Sequence, residues 1–165
     1  AGVGGLVNDV NMDNIEFRAR QTRHERELMV GPVDRLYGGG LYRRSAIEEV
    51  GYLTNRNLHG CEELELGLRL GAAGWKLERI GVLAIHHYGH TVPMWTLIRR
   101  RWRSRYVCGA GELIRASIGQ PWFAAALRCF MLPLAVIGWW VVLAGLVVMG
   151  VADDPSWFWV LLCVL

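Results

Sequence analysis

The feature that most limits how this chain folds is a long uncharged segment near its C-terminal end. No charged residue occurs between Cys129 and Ala152, and the segment contains the run FMLPLAVIGWWVVLAGLVVMG. About 20 apolar residues in a helix cross the roughly 30 Å hydrocarbon layer of a membrane. The sequence therefore predicts a transmembrane helix at residues 129–151 rather than the buried hairpin of a soluble protein. A second apolar segment begins at residues 157–165, which we expect to be the start of a truncated second span.

The charged residues are confined to the other part of the chain. Residues 1–120 hold 17 of the 18 Lys and Arg residues and 13 of the 15 Asp and Glu residues, which argues against a disordered or fibrous chain. A dense set of arginines lies between residues 99 and 128, whereas the turn after the first apolar segment is acidic. Because loops rich in Arg stay on the cytoplasmic side, we expect a multi-pass protein of the inner or plasma membrane with a cytoplasmic soluble part.

The soluble part has the pattern of an α/β unit. Ser45 with Glu48 three residues later is typical of a capping box at a helix start, and Gly51 is a stop signal. Acidic residues from Glu62 and a glycine at Gly74 favour a second helix. The predicted elements are a strand at residues 2–10, helices at 45–51 and 62–74, and strands at 75–80 and 82–86.

The region at residues 93–128 combines arginines with aromatic residues. Pro93 suits the first position of a helix, and the residues after it alternate between Arg and apolar types. Such a helix suits a membrane interface, with rings at headgroup depth and guanidinium groups on phosphates. Nucleic acid is the alternative partner for this composition. The adjoining span favours membrane lipids, and we expect no nucleic acid.

Two clusters carry side chains that suit catalysis or binding. Glu62 and Glu63 open a predicted helix, where one carboxylate can accept a proton from a substrate hydroxyl, or where both simply complement the helix dipole. His86, His87 and His90 lie close together and can supply a metal ligand, although surface histidines have the same pattern. The glycines at residues 38–40 allow close backbone approach to a ligand, as any tight turn also requires.

The order of these features along the chain is more informative than any one of them. A glycine turn leads into Arg-Arg and a short helix (GGGLYRRSAIEEVG), an acidic pair opens a helix (EELELGLRLGAAGW), and a strand ends in His (GVLAIHH), followed by the arginine-rich segment. Over residues 1–150 this order resembles the membrane-bound family 2 glycosyltransferases. The resemblance implies the C-terminal half of a GT-A nucleotide-diphospho-sugar transferase domain, an α/β fold, followed by transmembrane helices.

The resemblance also implies chemistry. Family members move a sugar with inversion from a nucleotide-sugar donor to an acceptor, here a glycan or lipid-linked acceptor of polysaccharide biosynthesis, with Mg or Mn as cofactor. The second residue of the family's acidic pair, usually Glu-Asp, is the general base; Glu63 occupies that position, after Glu62. The family's downstream His, near the metal and diphosphate, matches His86 or His87, of which His87 is preferred.

Processive family members carry Q-x-x-R-W on an interfacial helix beside the acceptor. Arg101 and Trp102 match the end of that motif, but Ile98 stands in place of Gln, which argues against processive synthesis. The candidate substrate-binding residues are Gly38, Gly39, Gly40, Arg43, Arg101 and Trp102.

This interpretation divides the chain into a catalytic part at residues 1–92, an amphipathic interfacial region at 93–128, and spans at 129–151 and from 157. The family's donor-binding half, with its D-x-D motif, is not within these residues, so we expect the 165 residues alone not to turn over. The main alternative is a non-catalytic, membrane-tethered binding or scaffold module. A histidine-ligated metal hydrolase is a third possibility, although the chain has no H-E-x-x-H motif.

Overall fold

The protein has a mixed α/β fold, seen in a computed structural model that describes residues 1–10, 30–38 and 40–153. The chain divides into two compact units, Ala1–Ala126 and Leu127–Leu165. The first unit contains a four-stranded sheet with helices, and the second contains a long apolar helix. Residues 11–29, Gly39 and the apolar segment predicted at 157–165 lie outside the described residues.

The sheet is mixed, with strand order β2-β4-β1-β3. Strand β1 runs parallel to β4 and antiparallel to β3, and β2 pairs antiparallel with β4. The strands are β1 (Gly2–Asp9), β2 (Gly31–Val33), β3 (Gly40–Tyr42) and β4 (Leu77–His87).

Six α-helices follow one another in the described part of the chain, with a short 3₁₀ turn at Tyr106–Cys108. They are α1 (Arg44–Val50), α2 (Glu62–Ala72), α3 (Met94–Arg103), α4 (Gly109–Ser117), α5 (Phe123–Cys129) and α6 (Met131–Asp153).

Helix α2 packs one face against the sheet, and the core of the first unit forms there. Leu66 and Leu70 on α2 are nearly inaccessible, as is Leu77 at the start of β4. These leucines form one cluster with Leu36 and with Ala46 of α1. Because burying a leucine side chain contributes about 1.5–3 kcal/mol, this cluster fixes α2 on the sheet and thereby fixes the position of its N-terminal end.

Several of the predicted elements are confirmed. The strand predicted at residues 2–10 is β1, and the helix predicted at 62–74 is α2, after which Gly74 adopts a left-handed conformation with φ +80°. The helix predicted to stop at Gly51 does so, since Gly51 is its C-terminal cap.

The capping box predicted at Ser45 is wrong. Helix α1 begins one residue earlier, at Arg44, and its N-cap is Arg43, whose side chain makes no capping hydrogen bond. The backbone N–H of Arg43 donates to the carbonyl oxygen of Ala1 at 2.6 Å, which extends the pairing of β3 with β1 by one residue. Arg43 is therefore the last extended residue, and the helix starts directly after it.

Two further local predictions need correction. The strands predicted at 75–80 and 82–86 form one continuous strand, β4, because β1 pairs along nearly its whole length and two register shifts in that pairing absorb the extra residues of β4. Pro93 is the residue before α3 rather than its first helical residue.

Helix α6 corresponds to the predicted transmembrane helix. Its segment Met131–Gly150 has a mean hydropathy of 2.3, and among the described residues it is the one helix long and apolar enough to cross a membrane. Both its 23-residue length and its composition meet what a membrane span requires.

Candidate functional site

The acidic pair stands at the N-terminal end of α2. Glu62 is the first helical residue and is partly buried, whereas the Glu63 side chain is exposed. The residue before them, Cys61, caps the helix with a left-handed backbone (φ 67°, ψ 20°), which is uncommon for a residue other than glycine. Left-handed residues occur where the surrounding structure fixes the chain, frequently at functional sites.

Electrostatic effects identify the neighbours of this pair. Burial raises the pKa of the Tyr42 hydroxyl on β3, and the nearby carboxylate of Glu63 raises this pKa further. Burial also raises the pKa of the Cys61 thiol, where Arg35 acts in the opposite sense and the two glutamates add to the increase. The end of β3 and the segment that carries Arg35 therefore each lie within electrostatic range of the start of α2.

The middle of α2 is held by a buried ion pair. Arg69 donates from Nε and Nη2 to the two carboxylate oxygens of Glu65 at 2.9 and 2.8 Å. Its Nη1 donates to the carbonyl oxygens of Val50 and Tyr52 at 3.0 and 2.7 Å, and the Tyr52 hydroxyl donates to Glu65 at 2.8 Å. The spacing of four residues between Glu65 and Arg69 is the sequence signal that predicts this pair.

The loop that leads into the acidic pair is fixed by α4. The backbone N–H of His59 donates to Glu112 at 2.9 Å, and the His59 Nδ1 lies 2.9 Å from the other carboxylate oxygen of Glu112. The hydrogen bond from the His59 backbone N–H is the main reason that the pKa of Glu112 is lowered. Next along the chain, Gly60 packs against Gly109 so closely that a Cβ on Gly109 would lie 2.8 Å from the Gly60 Cα.

The predicted glycine turn borders the same region. Gly38 lies beside Ile85 on β4, because a Cβ added to Gly38 would lie 3.4 Å from the Ile85 side chain. Gly40 is the first residue of β3. Gly39 is outside the described residues. Arg43 is exposed and its backbone serves as the helix cap described above, so its side chain is accessible to a ligand.

The two candidate metal-binding histidines end β4. His86 pairs with Asn8 of β1, whose side-chain nitrogen lies 3.2 Å from the His86 Nδ1. Neighbouring residues of a strand point to opposite faces, so His87 and Ile85 share the face that borders Gly38 and His86 lies on the other. Within the described ranges no group of three His, Cys, Asp or Glu side chains forms a metal cluster, and the metal site stays a prediction.

Arg101 and Trp102, matched to the processive motif, differ in their surroundings. The Arg101 guanidinium lies 5.2 Å from the centre of the Tyr106 ring, and the Tyr106 carbonyl oxygen packs against Gly60 in the loop before the acidic pair. Trp102 is 73% exposed and Trp95, seven residues earlier and so on the same side of the helix, is 80% exposed. Arg101 thus belongs to the packing behind the site, whereas the two tryptophans form an outward aromatic surface.

Two arginines that the sequence analysis missed, Arg35 and Arg79, both lie near the ring of Tyr37, and Arg35 acts on Cys61 next to the acidic pair. The guanidinium groups of Arg35 and Arg79 lie 5.5 and 5.8 Å from the centre of the Tyr37 ring. Arg79, on β4, is only 3% exposed. The signal was its position two residues after Leu77, because alternate residues of a strand share a face and Leu77 faces the core.

A cavity of about 410 Å³ lies elsewhere on α2. It is bordered by Gly67 and Gly71 on the helix, by Trp75 beyond its C-terminal end, and by Pro121 and Trp122 before α5. It therefore adjoins the later turns of α2 and not the end that carries the acidic pair.

Comparison with family models, curated proteins and solved structures finds no match for the chain. The case for a function therefore depends on the residues themselves. An exposed carboxylate on a fixed helix end, within electrostatic range of a tyrosine hydroxyl, can accept a proton from a bound hydroxyl group.

Proposed function

We propose that this protein is a membrane-anchored, inverting glycosyltransferase in which Glu63 is the general base. The observation that carries the proposal is the exposed Glu63 carboxylate in the first turn of α2, within electrostatic range of the Tyr42 hydroxyl. A general base must be accessible to the proton that it removes and fixed relative to the substrate. The order of glycine turn, acidic pair and strand ending in His, which resembles family 2 glycosyltransferases, supports the same assignment.

In the proposed reaction an acceptor hydroxyl attacks the anomeric carbon of the donor sugar. Glu63 accepts the hydroxyl proton as the new C–O bond forms, and the bond from the anomeric carbon to the diphosphate oxygen breaks with its electron pair leaving on the diphosphate. Attack from the side opposite to the leaving group inverts the anomeric configuration. The described residues do not gather a cluster of metal ligands, and the requirement for Mg or Mn remains a prediction.

The surroundings of Glu63 support a fixed geometry. The buried Glu65–Arg69 pair holds α2 to the segment after α1, and Glu112 holds the loop that precedes Cys61. Positional errors near 1 Å cost about a hundredfold in rate, so a base on two such supports is better placed than one on a mobile loop. Removing either support is expected to lower turnover without changing the base itself.

The membrane helix gives the proposed reaction its location. We propose that α6 anchors the protein and that the arginines of residues 99–128 keep the catalytic part on the cytoplasmic side. The exposed Trp95 and Trp102, together with the arginines of α3, suit contact with lipid headgroups. A glycan or lipid-linked acceptor at the membrane surface is the substrate class that fits this location.

The direct test is Glu63→Gln in the complete gene product, reconstituted in lipid nanodiscs with nucleotide-sugar donors and Mn. We expect transfer to fall by about 10²–10⁴-fold, with donor binding retained, since Gln keeps the size but cannot accept the proton. Glu78→Gln, an exposed carboxylate on β4, is the matched control and should keep full activity. Unchanged turnover in Glu63→Gln removes Glu63 from the base role, and a wild-type protein inactive with every donor favours the scaffold alternative.

A further inference from the structure

Arg79 is a buried charge for which the described residues supply no balancing group. Its side chain extends from β4 on the same face as Leu77 and is 3% exposed. Its Nε has no hydrogen-bond partner, and no ion pair forms at Arg79 in residues 1–10, 30–38 and 40–153. Arginine stays protonated in proteins, so it cannot escape the cost of burial by losing its charge. Buried charges are otherwise paired or bound to a ligand.

The residues around Arg79 add positive charge and an aromatic ring. The guanidinium groups of Arg79 and Arg35 both lie within 6 Å of the centre of the Tyr37 ring. Arg35 has its own carboxylate, since its Nε lies 3.1 Å from Asp34, which is largely exposed. Asp34 therefore balances Arg35, whereas the charge of Arg79 has no such partner among the described residues.

We infer that Arg79 and Arg35, whose guanidinium groups both lie within 6 Å of the centre of the Tyr37 ring, form a binding site for a phosphate-bearing ligand. The planar guanidinium donates parallel hydrogen bonds to phosphate oxygens, and an anion at Nε satisfies the donor that is otherwise unpaired. Arg35 is also close enough to Cys61 to influence its thiol, so the site adjoins the acidic pair. This inference goes beyond the proposed function, because it follows from burial and charge and stands whether or not Glu63 is a base.

The experiment measures binding of inorganic pyrophosphate by titration calorimetry to the whole 165-residue chain in phosphatidylcholine nanodiscs. We expect saturable binding, weakened at least about tenfold by Arg79→Met, as charge-assisted hydrogen bonds of this kind are lost. Arg44→Met is the matched control, because Arg44 is a 91% exposed arginine that pairs with Glu48, and its loss should leave the affinity unchanged. No binding to the wild type, or equal binding to Arg79→Met, overturns the inference.

A stability measurement separates a binding role from a structural one. Replacing an unpaired buried charge by an apolar residue of similar size is often neutral or stabilising, so Arg79→Met should unfold at the same or a higher urea concentration without pyrophosphate. A lower midpoint with unchanged pyrophosphate affinity marks Arg79 as structural. If Arg79→Met does not fold, Arg35→Gln decides: severalfold weaker binding supports the site, and unchanged binding overturns it.

Two further arms identify the source of the phosphate group. A lipid phosphate predicts that vesicles with phosphatidic acid bind the wild-type chain more tightly than phosphatidylcholine vesicles, and that Arg79→Met removes the difference. A soluble diphosphate ligand predicts equal vesicle binding by both chains, with only pyrophosphate binding lost. Glu63→Gln should bind pyrophosphate as the wild type does, so failure of the transferase proposal and failure of this site are distinguishable.

Discussion

Two buried arginines of similar exposure have opposite surroundings. Arg69 on α2 is 8% exposed and makes two hydrogen bonds to Glu65 and two to backbone carbonyls, with the Tyr52 ring 3.8 Å away. Arg79 on β4 is 3% exposed, and its Nε lacks a partner in the described chain. A buried guanidinium whose three nitrogens all donate hydrogen bonds fixes the fold, whereas one whose Nε has no acceptor is suited to an anion from outside.

The origin of the partners explains the difference. Glu65 lies one helical turn before Arg69, so helix formation alone brings the two side chains together. Arg79 depends on segments distant in sequence, and the side-chain contact described there, with Tyr37, is to a ring and not to a carboxylate. Within the described residues, the charge of Arg69 is therefore balanced locally in α2, whereas that of Arg79 is not balanced.

The largest expected effect comes from breaking the balanced arginine. Arg69→Met leaves the Glu65 carboxylate buried, with only the Tyr52 hydroxyl as a described partner, and should lower the free energy of unfolding by about 3–5 kcal/mol. Urea titration followed by circular dichroism in detergent measures it. Arg44→Met, which removes an exposed pair, should cost no more than about 1 kcal/mol. A loss at Arg69 as small as at Arg44 would mean that the pair does not fix α2.

A smaller effect is expected from two glycines in the same helix. A Cβ on Gly67 would collide with the backbone carbonyl of Asp34, next to Arg35, whereas a Cβ on Gly71 meets nothing within 4 Å. Gly67→Ala should destabilise by about 1–3 kcal/mol and weaken pyrophosphate binding, because it displaces the segment that carries Arg35. Gly71→Ala should stabilise by up to about 1 kcal/mol. Equal effects at both positions would contradict the close packing at Asp34.

The smallest effect is the pH dependence of the loop before the acidic pair. The His59 backbone N–H lowers the pKa of Glu112, so the contact stabilises the fold above the ordinary carboxyl pKa and is lost as pH falls through the lowered one. Glu112→Gln should be less stable than the wild type at neutral pH, and the two urea midpoints should converge below pH 4.5. A difference that persists at about pH 3 would mean that the carboxylate charge is not what holds His59.

Part of the fold could be predicted from local signals. The bounds of α2 follow from Glu62 and Gly74, and α6 follows from the absence of charge, because dipole complementarity and uniform hydrophobicity act through the residues themselves. The start of α1 could not be placed from Ser45, since the pairing of Arg43 with Ala1 decides it and those residues are distant in sequence. Continuous pairing with β1 likewise merged the two predicted strands into β4.

In the candidate site, too, some features could be predicted from the sequence and others could not. The acidic pair was visible in the sequence because two carboxylates at a helix start are a local pattern, and its closeness to Tyr42 emerges only in the folded chain. The importance of Arg79 was not visible, because local sequence does not reveal whether a charged strand residue finds a carboxylate in another segment. Long-range contacts determine both features.

The most direct test of the contrast between the two arginines is a titration with pyrophosphate monitored by the ¹⁵Nε–Hε signals of the arginine side chains in detergent-solubilised protein. The account predicts a saturable downfield shift of the Arg79 signal, where a new hydrogen bond forms, with the Arg69 signal unchanged because its Nε already donates to Glu65. An Arg79 signal that stays fixed at saturating pyrophosphate, or moves no more than that of Arg69, would contradict it.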